Sequence, residues 1–360
     1  MAKASLRLIS GVGKKGPACF LVEAEGRRFL LELGEGPPPG ALPDVDPVGR
    51  VDAVVLSHGH RDHVGGLSLL PKLGSPPVYA TAIVARSLPA GTNAQVLPVA
   101  GTADVLGIAV TTGRNGHAPG GVWLHFAIGD GFLYTGDYCT ESPLYDYDPP
   151  AQHAATALID CSYSDYQKPL AECWQRLASY AERGPLLLPA PAKGRGPEIA
   201  LELMRHGFHD IFVDEAAHKA LRALCDDARI SLRAPAGDIA KLAAAVKPID
   251  GARGVMIAGS ADGTSGATKD LFAKWERAAE PAILLTGYVN PTTPAERLTK
   301  TGRAQTMRWN VHPLLSDTVT LVRAVQARTV IPAFCDREKL PALAAALAPA
   351  RVIMDGPVEI

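Results

Sequence analysis

The sequence has no C-x-x-C pair, few aromatic residues and no long apolar run. Its six cysteines, at 19, 139, 161, 173, 225 and 335, are scattered along the chain. That spacing encodes neither a disulfide framework nor a cysteine zinc ribbon, and buried, reduced thiols are the expectation. No stretch approaches the roughly 18 apolar residues that a membrane span needs. The opening MAKASLRLISGVG carries no apolar core of a secretory leader. A cytoplasmic protein with no membrane partner is therefore expected. An excess of one charge sign is missing too. The formal net charge is -1, so the whole-molecule field announces neither nucleic acid nor an anionic surface, although a local basic groove is compatible with it.

What remains is an ordinary globular composition, 47% hydrophobic and 20% charged over 360 residues, enough for one large or two medium domains. Up to about residue 160 the chain reads as short strands and turns. LRLIS, CFLVEA, RFLLEL, DAVVLS and TALID are strand candidates, and GVWLHFAIGDGFLYTGDY reads as a hairpin turning at Gly-Asp-Gly 129–131. From about 170 the texture becomes alternating helix and strand, which predicts a parallel α/β layer. A domain junction is expected near 165.

Against ten histidines in all, LSHGHRDHVGGL places His58, His60 and His63 in one turn with Asp62 among them. Buried imidazoles need partners for both ring nitrogens, so three in one loop either face water or share one partner, for which a metal ion is the candidate. In H-x-H-x-D-H the first two histidines alternate along an extended segment and reach one ion. After the turn, Asp62 and His63 face a second position. Histidine with carboxylate suits zinc. His117, in the Gly/Pro-rich NGHAPGG, and Asp137, directly after an apolar strand in YTGDY, are the further ligand candidates. A carboxylate placed like Asp137 can bridge two ions, which together present a hydroxide for ester, lactone or phosphodiester cleavage. His125, on a strand in WLHFAIG, is read as a packed or surface residue.

Taken in order, LSHGHRDHVGGL, GHAPGG and LYTGDY resemble the motifs of the metallo-β-lactamase superfamily. The resemblance implies an α/β fold, an αββα sandwich with metals at the sheet edges. It implies that His58, His60, His117 and Asp137 hold one zinc, and that Asp62, His63 and the bridging Asp137 hold another. The early family aspartate is replaced by Glu32 in LLELGEG, one methylene longer, which is expected to orient a ligand histidine from behind.

The second half resembles the β-CASP nucleases. PLLLPAPAKGRGPEIALELM, VMIAGSADGTSGATKDLF and AILLTGYVNPTTPAERL are similar to their strand-and-loop segments. LIDCSYSD matches motif A at Asp160, and NVHPLLSDTVTLVRAV matches motif B at His312. Ribonuclease J and the 73-kDa subunit of the cleavage and polyadenylation factor are the relatives implied. The expected organisation is a lactamase-type domain over 1–165 and 310–360, with a β-CASP domain over 166–309. The implied activity is a zinc-dependent nuclease, acting on single-stranded nucleic acid, RNA before DNA. Metal-bound hydroxide would attack, Asp62 would be indispensable, and His312 would be the general acid held charged by Asp160. Ser260, Thr264, Ser265 and Arg195 are candidate phosphate contacts. Arg297, Lys300, Arg303 and Arg308 form a basic run, and Tyr163, Tyr166, Tyr288 and Trp309 are the aromatics near these loops. Motif C, commonly a histidine after the last inner strand, is absent: TVIPAFCDREKL offers Phe334 or Cys335. Two zinc ions are expected, the second site being one ligand short. DNA cleavage, esterase or lactonase chemistry, and a weakly active binding scaffold are the competing readings, and a homodimer stays open.

Overall fold

The computed structural model describes residues 4–360. The chain divides into two compact units. The first takes the chain up to Thr140 together with Tyr147–Gln167 and His312–Ile360; the second takes Glu141–Asp146 and Lys168–Val311.

The first unit contains two seven-stranded sheets. One runs in the order Pro357–Glu359, Ser5–Ser10, Cys19–Ala24, Arg27–Leu31, Ala53–Val55, Val78–Thr81, Ala94–Leu97. The other runs Arg351–Val352, Thr329–Ala333, Thr156–Asp160, Phe132–Tyr134, Val122–Phe126, Ile108–Arg114, Gly101–Val105. The sequence shows why they stack. Side chains alternate across a strand, and along Cys19–Ala24 the residues Phe20 and Val22 join one buried cluster while Cys19 and Leu21 join another. Phe20, Val22, Phe29 and Leu31 share their cluster with Phe126, Tyr134 and Leu158 of the second sheet. Both sheets therefore face one core. The outer face of the first sheet is covered by the short helical segments Leu67–Leu73 and Ala82–Ala85, that of the second by helices Leu315–Ala324 and Leu340–Leu347. Four layers, αββα, result. A strand covered on both faces has no polar side, so its sequence is a continuous apolar run rather than an alternation.

The second unit is a six-stranded sheet, all of it parallel. Leu186 and Leu188 turn to one face, packed by the helices Leu170–Ala181, Arg195–Arg205, Glu215–Asp226 and Ala236–Ala245. Leu187 turns to the other, packed by Gly266–Trp275 and Pro294–Lys300.

The hairpin read from the sequence forms, with Val122–Phe126 antiparallel to Phe132–Tyr134. Residues 78–114 carry four strands that no sequence signal announced. Ala94–Leu97 and Gly101–Val105 are edge strands with mostly exposed side chains, and an edge strand need not carry the apolar pattern that betrays a central one.

Candidate metal centre

Strand ends and the loops that follow them deliver the site of the first unit. After Ala53–Val55 comes the loop with Ser57, His58 and His60, then one helical turn, Arg61–Val64, with Asp62 and His63. After Phe132–Tyr134 comes Asp137; Thr156–Asp160 ends on Asp160 itself. The backbone is cut to fit. Gly34 passes so close to the Asp62 carbonyl that a Cβ would lie 1.8 Å from it, while Leu33 N–H donates to the His63 carbonyl at 2.9 Å. Gly136 has φ +54°, and a Cβ there would stand 2.4 Å from Ser57 Oγ, so glycine is required twice over.

Three imidazole nitrogens converge. His60 Nδ1 lies 3.1 Å from His58 Nε2 and 3.0 Å from His117 Nε2. Asp137 Oδ2 completes the group, 3.5 Å from His117 Nε2 and 3.9 Å from His58 Nε2. Its other oxygen, Oδ1, lies 3.2 Å from His63 Nε2. The two carboxylate oxygens thus face two ligand groups, His58–His60–His117–Asp137 and Asp62–His63–Asp137, each with ligand atoms within 4.8 Å of one another. His58 Nδ1 stands 3.0 Å from Ser57 Oγ, which leaves Nε2 for the shared point. Behind His63, Glu32 Oε1 is 3.3 Å from Nδ1 and accepts from Ser57 N–H and Tyr134 O–H, both at 3.0 Å. Glu32 is fully buried and takes φ +63° to get there.

The electrostatics are those of buried donors facing one another. Burial, reinforced by His63 and His60, pushes His58 well below the ordinary imidazole value. Burial would lower His63 as well, but the Asp137 and Glu32 carboxylates overcome it and hold it well above. Asp137, despite burial, is held well below the carboxylate range by His63 and His312. Glu32 Oε2, Asp137 Oδ1 and both nitrogens of His63 are buried without a hydrogen bond. Orphaned polar atoms of this kind are rare in a core, and a donor set of histidine and carboxylate fits a transition metal.

Beside this centre stands a second pair. His312 Nδ1 is 2.8 Å from Asp160 Oδ2 and 3.7 Å from Asp137 Oδ2. Asp160 is itself fixed: Oδ1 accepts from Ser162 N–H at 2.9 Å, and its own N–H donates to Thr135 Oγ1 at 2.9 Å. The Tyr163 ring stands edge-on to His312, centroids 5.1 Å apart.

A scan against family models matches the metallo-beta-lactamase superfamily over residues 12–181. That stretch is a metallo-beta-lactamase domain. Relatives of its β-CASP group are among the similar proteins. The chain is 28% identical over 245 residues to a transcription termination factor FttA of Methanosarcina mazei, covering 54% of this chain and 38% of that protein. It is 30% identical over 226 residues to the ribonuclease TTHA0252 of Thermus thermophilus, covering 53% of this chain and 52% of that protein. The chain thus spans well under two thirds of the curated relatives it matches. A crystal structure of a protein of unknown function from Enterococcus faecalis V583 matches over the whole of both chains with a TM-score of 0.62 at 15% identity, a likeness of fold.

Most of the other residues singled out from the sequence lie in the second unit, and their geometry is less open than the sequence implied. Ser260 and Thr264 hydroxyls donate to Asp262 Oδ1 at 2.7 and 2.8 Å. Ser265 precedes the helix Gly266–Trp275 without capping it through its side chain. Arg195 Nη1 donates to the Thr286 carbonyl at 3.2 Å. In the basic run, Arg297 pairs with Glu276 and Lys300 with Glu296, while Arg303 donates to the carbonyls of Trp275 and Pro281. Trp309 is fully buried and donates to Glu198; it is core, not a stacking surface. His125 faces the His153 carbonyl. Ser57 and Tyr134 are the residues that sequence reasoning missed. Ser57 adjoins His58 and could have been suspected, whereas nothing in LYTGDY says what the Tyr134 hydroxyl meets.

Proposed function

We propose that the chain is a zinc-dependent phosphodiesterase that cleaves single-stranded nucleic acid, RNA in preference to DNA, and works in RNA processing or degradation. The observation that carries the reading is the His312–Asp160 pair, 2.8 Å apart and 3.7 Å from the carboxylate that both ligand groups share. His58, His60, His117 and Asp137 would hold one ion, and Asp62, His63 and Asp137 the other. When bound, the ions activate water and neutralise phosphate charge. The protein's own groups do the rest. Asp160 fixes the orientation of His312 through Nδ1, which leaves Nε2 to face the departing oxygen as the proton donor. Ser57 and Glu32 keep His58 and His63 turned to the centre. Small esters and lactones need no strong acid for their leaving group, and an Asp-held imidazole is better matched to a nucleotide hydroxyl. The ribonuclease name of the Thermus relative supports the same substrate class. Asp262 already accepts from Ser260 and Thr264, so a phosphate contact of these two hydroxyls requires that cluster to open.

The test is hydrolysis of labelled single-stranded RNA and DNA beside a lactone and thioester panel. RNA is expected to be cut fastest. His312→Ala should slow the cut by about 100-fold or more, in line with general acid catalysis, with its metal content unchanged. Equal rates for His312→Ala, or lactone hydrolysis without nucleic-acid cleavage, would refute the reading.

A further inference from the structure

We infer that Asn310 and Glu141 are positioning residues for His312: one hydrogen bond between their side chains sets where the chain delivers that ring. The inference rests on the nuclease reading above and adds to it what holds the proton donor in place.

The chain passes between its two units at four points: after Thr140, after Asp146, after Gln167 and after Val311. The first follows Asp137 by three residues, and the last falls immediately before His312. Side chains of the second unit gather three of these points. Glu141, where the chain first enters that unit, receives the Leu170 N–H on Oε1 and Asn310 Nδ2–H on Oε2, both at 2.9 Å. Asn310 Nδ2 also donates to the Lys168 carbonyl at 2.8 Å, and Oδ1 accepts the Cys173 thiol at 3.5 Å. Lys168 is where the chain enters the second unit again. Positions 141, 168 and 310 are thereby locked together.

The residue types are specific. Asn310 is fully buried, and a buried amide keeps its place only when its polar atoms are paired. Here both N–H bonds are given and the oxygen is used. Aspartate would set a second carboxylate against Glu141, and alanine would withdraw the donor from Glu141 and from the Lys168 carbonyl. Glu141 does a second service. Leu170 opens the helix Leu170–Ala181, whose N-cap, Pro169, gives no side-chain cap, and its N–H is one of the donors that a helix start leaves over.

The consequence falls on His312. Its downstream flank is fixed in the first unit: Leu314 N–H donates to Asp317 Oδ2 at 2.9 Å, and Leu315 N–H to the Tyr166 carbonyl at 3.1 Å. Pro313 disfavours helical backbone at His312. Upstream, a single residue, Val311, separates His312 from Asn310. Two residues span at most about 7 Å, so a shift at Asn310 has no slack in which to vanish. A proton donor has to come within about 2.6–3.2 Å of the departing oxygen, and a misplacement of about 1 Å can cost about 100-fold in rate. The Glu141–Asn310 bond therefore governs the approach of the acid without touching the substrate.

The experiment compares, on zinc-loaded protein, single-stranded RNA with bis(p-nitrophenyl) phosphate, a phosphodiester whose leaving group departs without a proton. Asn310→Ala should lower kcat on RNA by about 10–100-fold, with KM and the hydrolysis of bis(p-nitrophenyl) phosphate held within about twofold. Glu141→Gln keeps an acceptor for Leu170 but opposes one amide to another, and should lose rate on RNA in the same way. The double variant should be no slower than the slower single one. Equal losses on the two substrates would mean a general loss of structure and overturn the inference, as would an unchanged rate on RNA. Should Asn310→Ala not fold, the same comparison on Glu141→Gln decides. Placement is read independently of activity from the ring resonances of His312, assigned with His312→Ala: they should move in Asn310→Ala while those of His125 stay. A His312 ring that does not move refutes the inference even in an active nuclease. A moved ring in a protein that cuts no nucleic acid supports the placement and sinks the nuclease reading alone.

Discussion

Glu198 shows what a single buried carboxyl does to a unit that holds none of the candidate ligand groups found among the described residues. It lies in the first turn of the helix Arg195–Arg205, is 1% exposed, and receives the Ser142 hydroxyl and Trp309 Nε1–H. Burial pushes its carboxyl up from 4.5 to about 7. Between these values the folded chain holds a proton that the unfolded chain has released, so the contribution to stability is greatest at low pH and falls as pH rises through 7. Glu198→Gln should match the wild type near pH 5 and exceed it above pH 7, by an amount on the order of 3 kcal/mol if the whole shift acts. Urea unfolding from pH 5 to 8 measures it. A difference independent of pH would rule the titration out. At this scale legibility was uneven. H-x-H-x-D-H announces its chemistry because four chemistry-bearing residues occupy one turn. Phe334 announces only that a histidine is missing; that its ring lies against His63 depends on two strands far apart in sequence.

At the scale of elements, the strands of the sheet centres were readable and those of the edges were not. CFLVEA and TALID are apolar on both faces because both faces are covered, whereas Ala94–Leu97 and Gly101–Val105 show most of their side chains to solvent. The loop after Phe132–Tyr134 places Asp137 by way of Gly136. Gly136→Ala would add a Cβ 2.4 Å from Ser57 Oγ at φ +54°. Strain of this kind costs on the order of 1–3 kcal/mol, and Ser57, displaced, would release His58 Nδ1. The variant should therefore unfold at lower urea and also bind its first ion more weakly. A loss of stability with unaltered metal affinity would mean that Ser57 does not govern the His58 ring.

For the whole molecule, the two units differ in what an ion can do for them. All of Glu32, His63 and Asp137 lie in the first unit, where their orphaned atoms are a cost to folding. A ligand that binds only the folded state stabilises it by mass action. Chelation should accordingly speed hydrogen exchange in the strands Ala53–Val55 and Phe132–Tyr134 while leaving Leu186–Pro189 and Val255–Ala258 of the second unit as protected as before. Equal loosening of all four strands would contradict a metal contribution confined to the first unit. The sequence disclosed the change of texture near 165. It did not disclose that Glu141–Asp146 crosses early into the second unit, because that short segment carries no periodicity of its own. Its membership is set by Ser142 meeting Glu198, and by Leu144 packing into the second unit's core.

Both seven-stranded sheets of the first unit take strands from residues after His312: Pro357–Glu359 in one, Thr329–Ala333 and Arg351–Val352 in the other. A ribosome adding roughly 5–20 residues per second therefore releases the candidate ligand residues about 10–40 s before the strands that complete their sheets. The first unit can close only once the whole of the second has been synthesised.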